Sequence, residues 1–249
     1  MVGRSAVANP SGALLYKEVK RKIIDAVHQG EWKPGGAIPS ETKLCERYGV
    51  SMGTVRKAVD ELSGEGFLIR QQGRGTFIST HSQDRYLFAF FHVIRQDGHK
   101  EYPLVELVEF GKAKAEPCMA TALDIKPKSR VLRIVNKLSL SGAPVMLDEI
   151  LLPENLFLGM TEKMLRERPS TLYHLYQEQF GVTVIRPHEK LRAVLADEVQ
   201  ARLLGVSIGE PLLLIIRTAY SFRDQPVELR RSYVVTRNYE YCTDPMVAT

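Results

Sequence analysis

The stretch over residues 40–66 constrains the fold most strongly, because two short amphipathic segments there meet at a turn that contains Gly49. The second segment carries its apolar residues at helical spacing: Val55, Ala58, Val59 and Leu62. Ser51 precedes them at the position of an N-cap, whose side chain accepts a hydrogen bond from the first turn of a helix. Two amphipathic helices joined by a tight turn predict a helix-turn-helix, with the second helix over residues 51–62.

The outer face of that second helix is polar and basic, since it presents Thr54, Arg56 and Lys57. A hydroxyl and two cations near a helix N-terminus suit a phosphate backbone and the floor of a major groove. A solvated basic helix in a small helical domain explains the isolated pattern equally well. The continuation favours DNA binding, because residues 67–78 alternate as two strands around a glycine-rich tip that carries Arg74. The sequence therefore predicts a winged helix.

The same region resembles the DNA-binding domain of the GntR family of bacterial transcription regulators. The matching residues are Leu15-Tyr16, Gly30-Glu-Trp-Lys-Pro-Gly35, Pro39-Ser-Glu41, Gly49-Val-Ser51, Thr54-Val-Arg-Lys-Ala58, Leu62, Glu65-Gly66 and Gly73-Arg-Gly-Thr-Phe77. The resemblance implies contacts with double-stranded DNA from Ser40, Lys43, Ser51, Thr54, Arg56, Lys57, Gln72, Gly73 and Arg74. Thr42 and Met52 stand where the family usually has arginine, so we expect an operator that differs from the family consensus.

The charge distribution agrees with this assignment. Residues 1–80 hold twelve Lys or Arg against eight Asp or Glu, a net charge of +4, and the chain as a whole has +5. Excess positive charge in the predicted DNA-binding part is the expected electrostatic footprint. No apolar run approaches the ~20 residues of a membrane span, and the N-terminus lacks the apolar core of a signal peptide. We therefore expect a cytoplasmic protein without a membrane segment.

Cysteine and histidine form no recognisable site. The three cysteines, Cys45, Cys118 and Cys242, are far apart and read as reduced thiols. The six histidines show no pair four residues apart and no carboxylate at ligand spacing. The sequence thus predicts neither a metal nor a cofactor.

The chain divides into two predicted domains. We expect a disordered arm over residues 1–12, the winged helix over 13–79 with its first helix at 14–29, a linker over 80–85 and a second domain over 86–245. In the second domain, strand-like runs flank turns at Ser141-Gly142 and at residues 223–226, and both hairpins continue with Pro-Val. This layout predicts an internal repeat, an antiparallel sheet and the α+β class.

Residues 85–242 resemble the UTRA effector-sensing domain of the HutC branch of the GntR family. The matching residues are Leu140-Ser-Gly-Ala-Pro-Val145, Asp148-Glu149, Leu152-Pro153, Thr171-Leu-Tyr173, Phe180-Gly181, Leu203-Leu-Gly205, Gly209-Glu-Pro-Leu212, Arg217, Pro226-Val-Glu228, Ser232-Tyr233 and Tyr239. The resemblance implies a chorismate-lyase-like fold, a homodimer and a pocket for a small effector between the sheet and the helices. It places around that pocket Asn136, Asp148, Thr171, Tyr173, Arg186 and Glu228. Tyr173 is equally consistent with a core residue, and Arg186 with an ordinary surface cation.

The strand before the first hairpin indicates which chemical class of effector to expect. Asn136 and Leu138 stand where family members that recognise phosphosugars carry two arginines. An amide and a leucine cannot reproduce the bidentate grip of guanidinium groups on a phosphate. Lys137 lies between them, but strand alternation points it to the opposite face. We expect an effector less charged than a sugar phosphate, such as a carboxylate, an amino-acid derivative or a neutral metabolite.

The two resemblances together predict a repressor that a metabolite releases from its operator. A homodimer would insert its two recognition helices into major grooves of a short inverted repeat, with Arg56 at the bases and Arg74 in the minor groove. An enzyme of chorismate-lyase-like fold is an alternative, although the sequence shows no nucleophile beside a base, and Asp148 and Glu149 alternate to opposite faces of a strand. A winged helix used for protein contacts is a second alternative, which salt-dependent duplex binding would exclude.

Overall fold

A computed structural model describes residues 10–33, 35–64, 67–78, 90–99 and 101–243. The chain divides into two compact units, Met1–Thr80 and His81–Thr249. The predicted linker, residues 80–85, lies outside the described residues, as do residues 1–9 of the predicted disordered arm.

The described part of the first unit consists of three helices and a hairpin: α1 (Pro10–His28), α2 (Glu41–Tyr48), α3 (Met52–Gly64), β1 (Leu68–Gln71) and β2 (Gly75–Ile78). The two strands pair antiparallel, with Leu68 opposite Ile78. This order of elements confirms the predicted winged helix. α1 begins at Pro10, ahead of the predicted start at Leu14, because proline suits the first position of a helix, where its missing N–H would have no partner.

Local caps fix the turn between α2 and α3. Ser40 Oγ accepts a hydrogen bond from the N–H of Lys43 at 3.4 Å at the start of α2. α2 ends at Gly49, whose φ of 65° lies in the left-handed region that glycine adopts without strain. Ser51 Oγ accepts a hydrogen bond from the N–H of Thr54 at 3.3 Å, which confirms the predicted N-cap of α3.

α3 is the central helix of this unit, since it contacts α1, α2 and β1. Its predicted apolar stripe is fully buried: Val55, Ala58, Val59 and Leu62. Ile23 of α1 and Leu44 of α2 are also fully buried, and burial of such a side chain contributes about 1.5–3 kcal/mol. Because the apolar stripe holds α3 against its neighbours, the opposite side of the helix, with Arg56, stays exposed.

The second unit contains strands and short helices in alternation. Its described elements are β3 (Val93–Arg95), β4 (Leu104–Lys114), α4 (Pro117–Ala122), β5 (Arg130–Leu140), β6 (Ala143–Pro153), α5 (Glu162–Glu167), α6 (Leu172–Phe180), β7 (Arg186–Leu195), α7 (Glu198–Leu204), β8 (Pro211–Tyr220), β9 (Pro226–Val235) and β10 (Tyr239–Tyr241). The sequence did not predict α5 or β10, which are only six and three residues long.

Six strands form one antiparallel sheet in the order β4-β5-β6-β9-β8-β7, and β3 pairs with β10 separately. The sheet has two similar halves, β4-α4-β5-β6 and β7-α7-β8-β9, which meet where β6 pairs with β9. This arrangement confirms the predicted internal repeat. The first hairpin turns at Ser141 and Gly142, both with positive φ (48° and 79°), as a two-residue turn of type I′ requires.

Strand alternation sends neighbouring side chains to opposite faces of this sheet. On one face, Ile134 and Ile150 pack with Tyr173 and Tyr176 of α6. The other face packs against α4 and α7. Helices on both faces of an antiparallel sheet, together with the winged helix, confirm the α+β class. The face that packs against α5 and α6, called the α6 face below, also carries a row of polar residues.

Candidate functional site

The first candidate surface is the exposed side of the helix-turn-helix. Ser51 and Thr54 lie at the start of α3, and their hydroxyls are 2.9 Å apart. Lys43 is exposed, whereas the Ser40 side chain caps α2. The N-terminal turn of α3 therefore presents hydroxyls and free N–H groups, which can bind phosphate oxygens.

Arg56 is held by a carboxylate of the neighbouring helix. Its Nε lies 3.2 Å from Glu41 Oε2, although 61% of the Arg56 side chain is exposed. Glu41 is shared with Arg70 of β1 (3.1 Å), which also pairs with Asp60 of α3 (2.6 Å). These exposed ion pairs add little stability, but they orient the Arg56 guanidinium on the outer side of α3.

The other residues predicted to contact DNA occupy two places. The Lys57 ammonium lies 4.3 Å from the centre of the Tyr16 ring, so this side chain extends toward α1. Gln72, Gly73 and Arg74 form the exposed tip of the β1–β2 hairpin, where the Arg74 guanidinium lies 5.8 Å from the centre of the Phe77 ring. The structure thus places Arg74 at the tip of the wing, apart from the start of α3.

The second candidate site is a cavity of about 240 Å³ on the α6 face, called the sheet cavity below. Its base comes from β5, β6 and β9, and its walls from the segment before α6 and from the start of β4. It is lined by Tyr102, Pro103, Leu104, Val105, Asn136, Leu138, Asp148, Arg166, Arg168, Pro169, Ser170, Thr171, Leu172 and Arg230. A concave site with apolar walls and a few convergent polar groups is typical of small-molecule binding.

A polar row crosses three strands at the base of the cavity. Asn136 of β5 lies opposite Asp148 of β6, and Asp148 lies opposite Ser232 of β9. Ser232 Oγ donates to Asp148 Oδ1 (2.5 Å), and Arg230 Nη1 donates to Asp148 Oδ2 (3.0 Å). Burial raises the pKa of the Asp148 carboxyl above its ordinary value, and Arg230 opposes that effect. Arg230 and Ser232 therefore hold the Asp148 carboxyl group in a fixed position at the base of the cavity.

A second buried carboxylate lies next to this row. Glu228 is fully buried and accepts hydrogen bonds from the hydroxyls of Tyr173 (3.0 Å) and Tyr176 (2.8 Å). Arg230 Nε donates to Glu228 Oε1 at 2.9 Å, so one guanidinium serves both Glu228 and Asp148. Burial raises the pKa of the Tyr176 hydroxyl far above its ordinary value, so Tyr176 remains a donor.

Asn136 is the residue of this row whose side-chain oxygen lacks a hydrogen-bond donor among the described residues. Asn136 is almost fully buried, with an exposed fraction of 2%. Its Oδ1 accepts no hydrogen bond from any residue that the structure describes. A buried acceptor without a partner costs about 1–3 kcal/mol. Asn136 lines the sheet cavity, so a bound molecule can supply the missing donor once the amide turns its buried Oδ1 toward the cavity.

The structure brings together only some of the residues predicted for the pocket. Asn136, Asp148 and Thr171 line the sheet cavity, whereas Tyr173 and Glu228 lie in the buried network beside it. Arg186 lies elsewhere. It begins β7, the outermost strand of the sheet, where it pairs with Asp224 at 2.7 Å and stacks on the Tyr220 ring.

Sequence reasoning missed three cationic residues of the cavity: Arg166, Arg168 and Arg230. Arg230 had a detectable signal, because it follows Glu228 by two residues on a strand and therefore shares its face. Arg166 lies near the end of α5 and Arg168 just after it, and because this short helix has no clear periodic pattern, neither position could be predicted.

Among the residues that the structure describes, none of the helices is long and apolar enough to cross a membrane. The same residues contain no cluster of three or more His, Cys, Asp or Glu side chains able to hold a metal ion.

Comparison with known proteins covers both units. Residues 15–78 match the family described as bacterial regulatory proteins, gntR family, and residues 99–240 match the UTRA domain. The chain is 31% identical to an Escherichia coli K12 protein named "Probable fructoselysine utilization operon transcriptional repressor", over 90% of this chain and 92% of that protein. It is 30% identical to the histidine utilization repressor of Pseudomonas aeruginosa, over 88% of each chain.

One solved structure resembles the second unit. It is the ligand-binding domain of a GntR-family transcriptional regulator from Bordetella bronchiseptica, at 33% identity and a TM-score of 0.57. The match covers 60% of this chain and 93% of that one.

Proposed function

Because this chain belongs to the GntR family of bacterial transcription regulators and carries a UTRA domain, we propose that it is a repressor released from its operator by a small molecule. Its relatives are named transcriptional repressors, so it is a DNA-binding regulator rather than an enzyme. The observation that carries the proposal is the sheet cavity, whose buried Asn136 Oδ1 has no partner among the described residues. Its site of action, the operator, lies on the nucleoid in the cytoplasm.

The proposed DNA complex contains a homodimer on a short inverted repeat. Each recognition helix, α3, enters a major groove with its exposed Arg56 at the base edges. Ser40, Lys43, Ser51 and Thr54 contact phosphates, and the wing residues Gln72, Gly73 and Arg74, with Lys57 beside α1, contact the flanking backbone and minor groove. The spacing of two half-sites is a geometric constraint, so a small rotation of one winged helix weakens binding strongly.

A continuous set of contacts runs from the base of the cavity to Phe90 and supports the proposed coupling. Asp148 at the base of the cavity is bonded to Arg230, and Arg230 to Glu228. Glu228 accepts a hydrogen bond from the Tyr173 hydroxyl. The Tyr173 ring in turn packs edge-on against the Phe90 ring, with the ring centroids 5.0 Å apart. Phe90 is the first described residue after residues 79–89. A ligand that shifts this network thereby acts on Phe90.

The proposed effector is not a sugar phosphate. The base of the cavity carries Asp148, a carboxylate that repels a phosphate dianion. Arg230 is already committed to Asp148 and Glu228. Two more arginines lie on one wall, Arg166 paired with Glu162 and Arg168 bonded to the Leu165 carbonyl oxygen, which suits a ligand with a single negative group.

Selection of bound duplexes from random DNA at fixed salt, followed by titration of metabolites against the recovered complex, tests the proposal. We expect a short palindrome that one metabolite releases, with binding that weakens steeply as salt rises. Salt-independent binding would instead indicate a winged helix that contacts protein. Failure to enrich any duplex would contradict the proposed function and would implicate Thr42 and Met52.

Arg56→Ala tests the position of the recognition helix. It should cost about 1–3 kcal/mol of operator binding and relax specificity at one base pair, whereas Lys43→Ala should weaken all duplexes alike. Arg21→Ala, on the exposed side of α1, is the matched control. If Arg56→Ala bound the operator as tightly and selectively as the parent protein, Arg56 would not read bases.

A further inference from the structure

One wall of the sheet cavity is positively polarised. Arg166, Arg168, the N-cap Thr171 and the first residue of α6, Leu172, line it; together they are called the cationic wall. Thr171 Oγ1 caps the His174 N–H at the start of this nine-residue helix (3.2 Å), and the helix dipole adds partial positive charge at this end. Glu162 holds Arg166 in place, with Nη2 and Oε1 2.7 Å apart. The wall is therefore built to receive an anionic group.

The base of the cavity has the opposite character. Asn136 Oδ1 and the Asp148 carboxylate lie on adjacent strands at paired positions; together they are called the acceptor floor. Among described residues, Asn136 Oδ1 has no donor. One cation, Arg230, pairs with both acidic residues, Asp148 at 3.0 Å and Glu228 at 2.9 Å. The floor is therefore suited to a cationic donor.

We propose that the sheet cavity binds a free amino acid, with its carboxylate on the cationic wall and its ammonium group on the acceptor floor. This inference rests on the proposed function, because it names the effector class of the same site. An ammonium group has three donors and no acceptor, so it supplies the hydrogen bond that Asn136 Oδ1 lacks and a charge opposite to Asp148. A carboxylate is acceptor-only and matches guanidinium and helix N–H groups.

Other small metabolites satisfy only one side of the cavity. A phosphate group matches the cationic wall but meets the Asp148 carboxylate with charge of the same sign. A neutral sugar donates to the floor but leaves the wall without an anion. The volume of about 240 Å³ also lies below the roughly 300–1,000 Å³ of pockets for drug-sized ligands. A molecule as small as an amino acid fits this volume.

Isothermal titration calorimetry of the full chain tests the proposal directly. The probes are the common L-amino acids together with β-alanine, γ-aminobutyrate and δ-aminovalerate, in which the two charges lie progressively farther apart. Each amino acid that binds is compared with its carboxamide, which lacks the carboxylate, and its hydroxy acid, which lacks the ammonium group. We expect at least one amino acid to bind, and both of its analogues to bind roughly 10- to 100-fold more weakly.

Variants locate the two ends of the ligand. Asn136→Leu and Arg168→Gln should each weaken the best amino acid by about 10-fold or more, since each removes one polar contact. Arg202→Gln, an exposed arginine on α7 at the other face of the sheet, is the matched control and should bind as the parent does. Circular dichroism establishes that each variant is folded. The comparison of amino acids with their analogues uses the parent protein alone, so it does not depend on whether a variant folds.

Three outcomes would overturn the inference. In the first, none of the amino acids binds. In the second, an amino acid and its hydroxy acid bind with equal affinity. In the third, inorganic phosphate or glucose 6-phosphate binds but none of the amino acids does. The ligand-free chain is tested separately for operator binding. Retained operator binding with a failed amino-acid panel overturns only the ligand class, whereas loss of operator binding overturns the proposed function itself.

Discussion

Replacing Asn136 with leucine should stabilise the ligand-free protein while it removes the response to effector. Asn136 is 2% exposed on the α6 face, where its neighbours along the strand are the apolar residues Ile134 and Leu138. Its Oδ1 has no hydrogen-bond donor among the described residues. The Asn136→Leu substitution removes this unsatisfied acceptor and adds apolar contact at the edge of the cavity.

The size of the effect follows from the burial of the amide. An unsatisfied buried polar group costs about 1–3 kcal/mol, and the variant no longer bears that cost. For a chain of this length, 1 kcal/mol corresponds to about 2–4 °C in melting temperature, so the expected increase is about 2–12 °C. The gain in stability with a loss of ligand binding is the trade-off expected where a polar group is kept for function.

Differential scanning calorimetry of the ligand-free full chain measures this increase. Asn136→Ala removes the same oxygen without filling the space, so it should gain less than the leucine variant. Asn238→Leu changes an exposed asparagine of the same unit and should stay within about 0.5 kcal/mol of the parent. If both Asn136 variants melted below the parent protein, the amide would have a partner in the ligand-free state, and the reasoning about the acceptor floor would be refuted.

Three further predictions follow from named contacts. Tyr176→Phe removes a donor to buried Glu228 and should destabilise the second unit by about 1.5–3 kcal/mol in calorimetry, whereas Tyr48→Phe, which removes a buried hydroxyl with no partner among the described residues, should not destabilise the protein and should stabilise it by up to about 1–3 kcal/mol. Phe90→Leu should leave effector affinity unchanged in titration calorimetry but reduce effector-induced release of the operator. Glu41→Gln should raise affinity for random duplex severalfold at fixed salt and lower the ratio of operator to random binding, because it removes a negative charge and frees an arginine.

The winged helix could be predicted almost completely, because its signals are local. The helical spacing of apolar residues predicts the buried stripe of α3. Ser40 and Ser51 each cap an N–H only three residues further along the chain. The two hairpins of the second unit could also be predicted from the sequence, since each pairs strands that are adjacent along the chain. What joins the hairpins, the pairing of β6 with β9, links residues about 80 positions apart and has no local signature.

The cavity was harder to predict for the same reason. Its base depends on register between strands, which places Asn136 opposite Asp148 and Asp148 opposite Ser232. Arg186 was assigned to the pocket by resemblance, but the strand order puts β7 two strands beyond β9. Arg168 reaches the cavity from the segment between α5 and α6, which has no periodic pattern.

The buried polar row explains how a small ligand can control a large chain. Replacing such a row by apolar residues is often neutral or stabilising, so its presence is better explained by ligand binding than by stability. A regulator shifts between two states only if the ligand binds one of them more tightly, and a shift from 1:99 to 99:1 needs about 5.5 kcal/mol of difference. Charge-assisted hydrogen bonds are worth about 1.5–3 kcal/mol each, so one at each end of an amino acid supplies about 3–6 kcal/mol. That sum suffices only if both ends engage in one state alone, and this is why each truncated analogue should fail to release the operator even at concentrations that occupy the cavity.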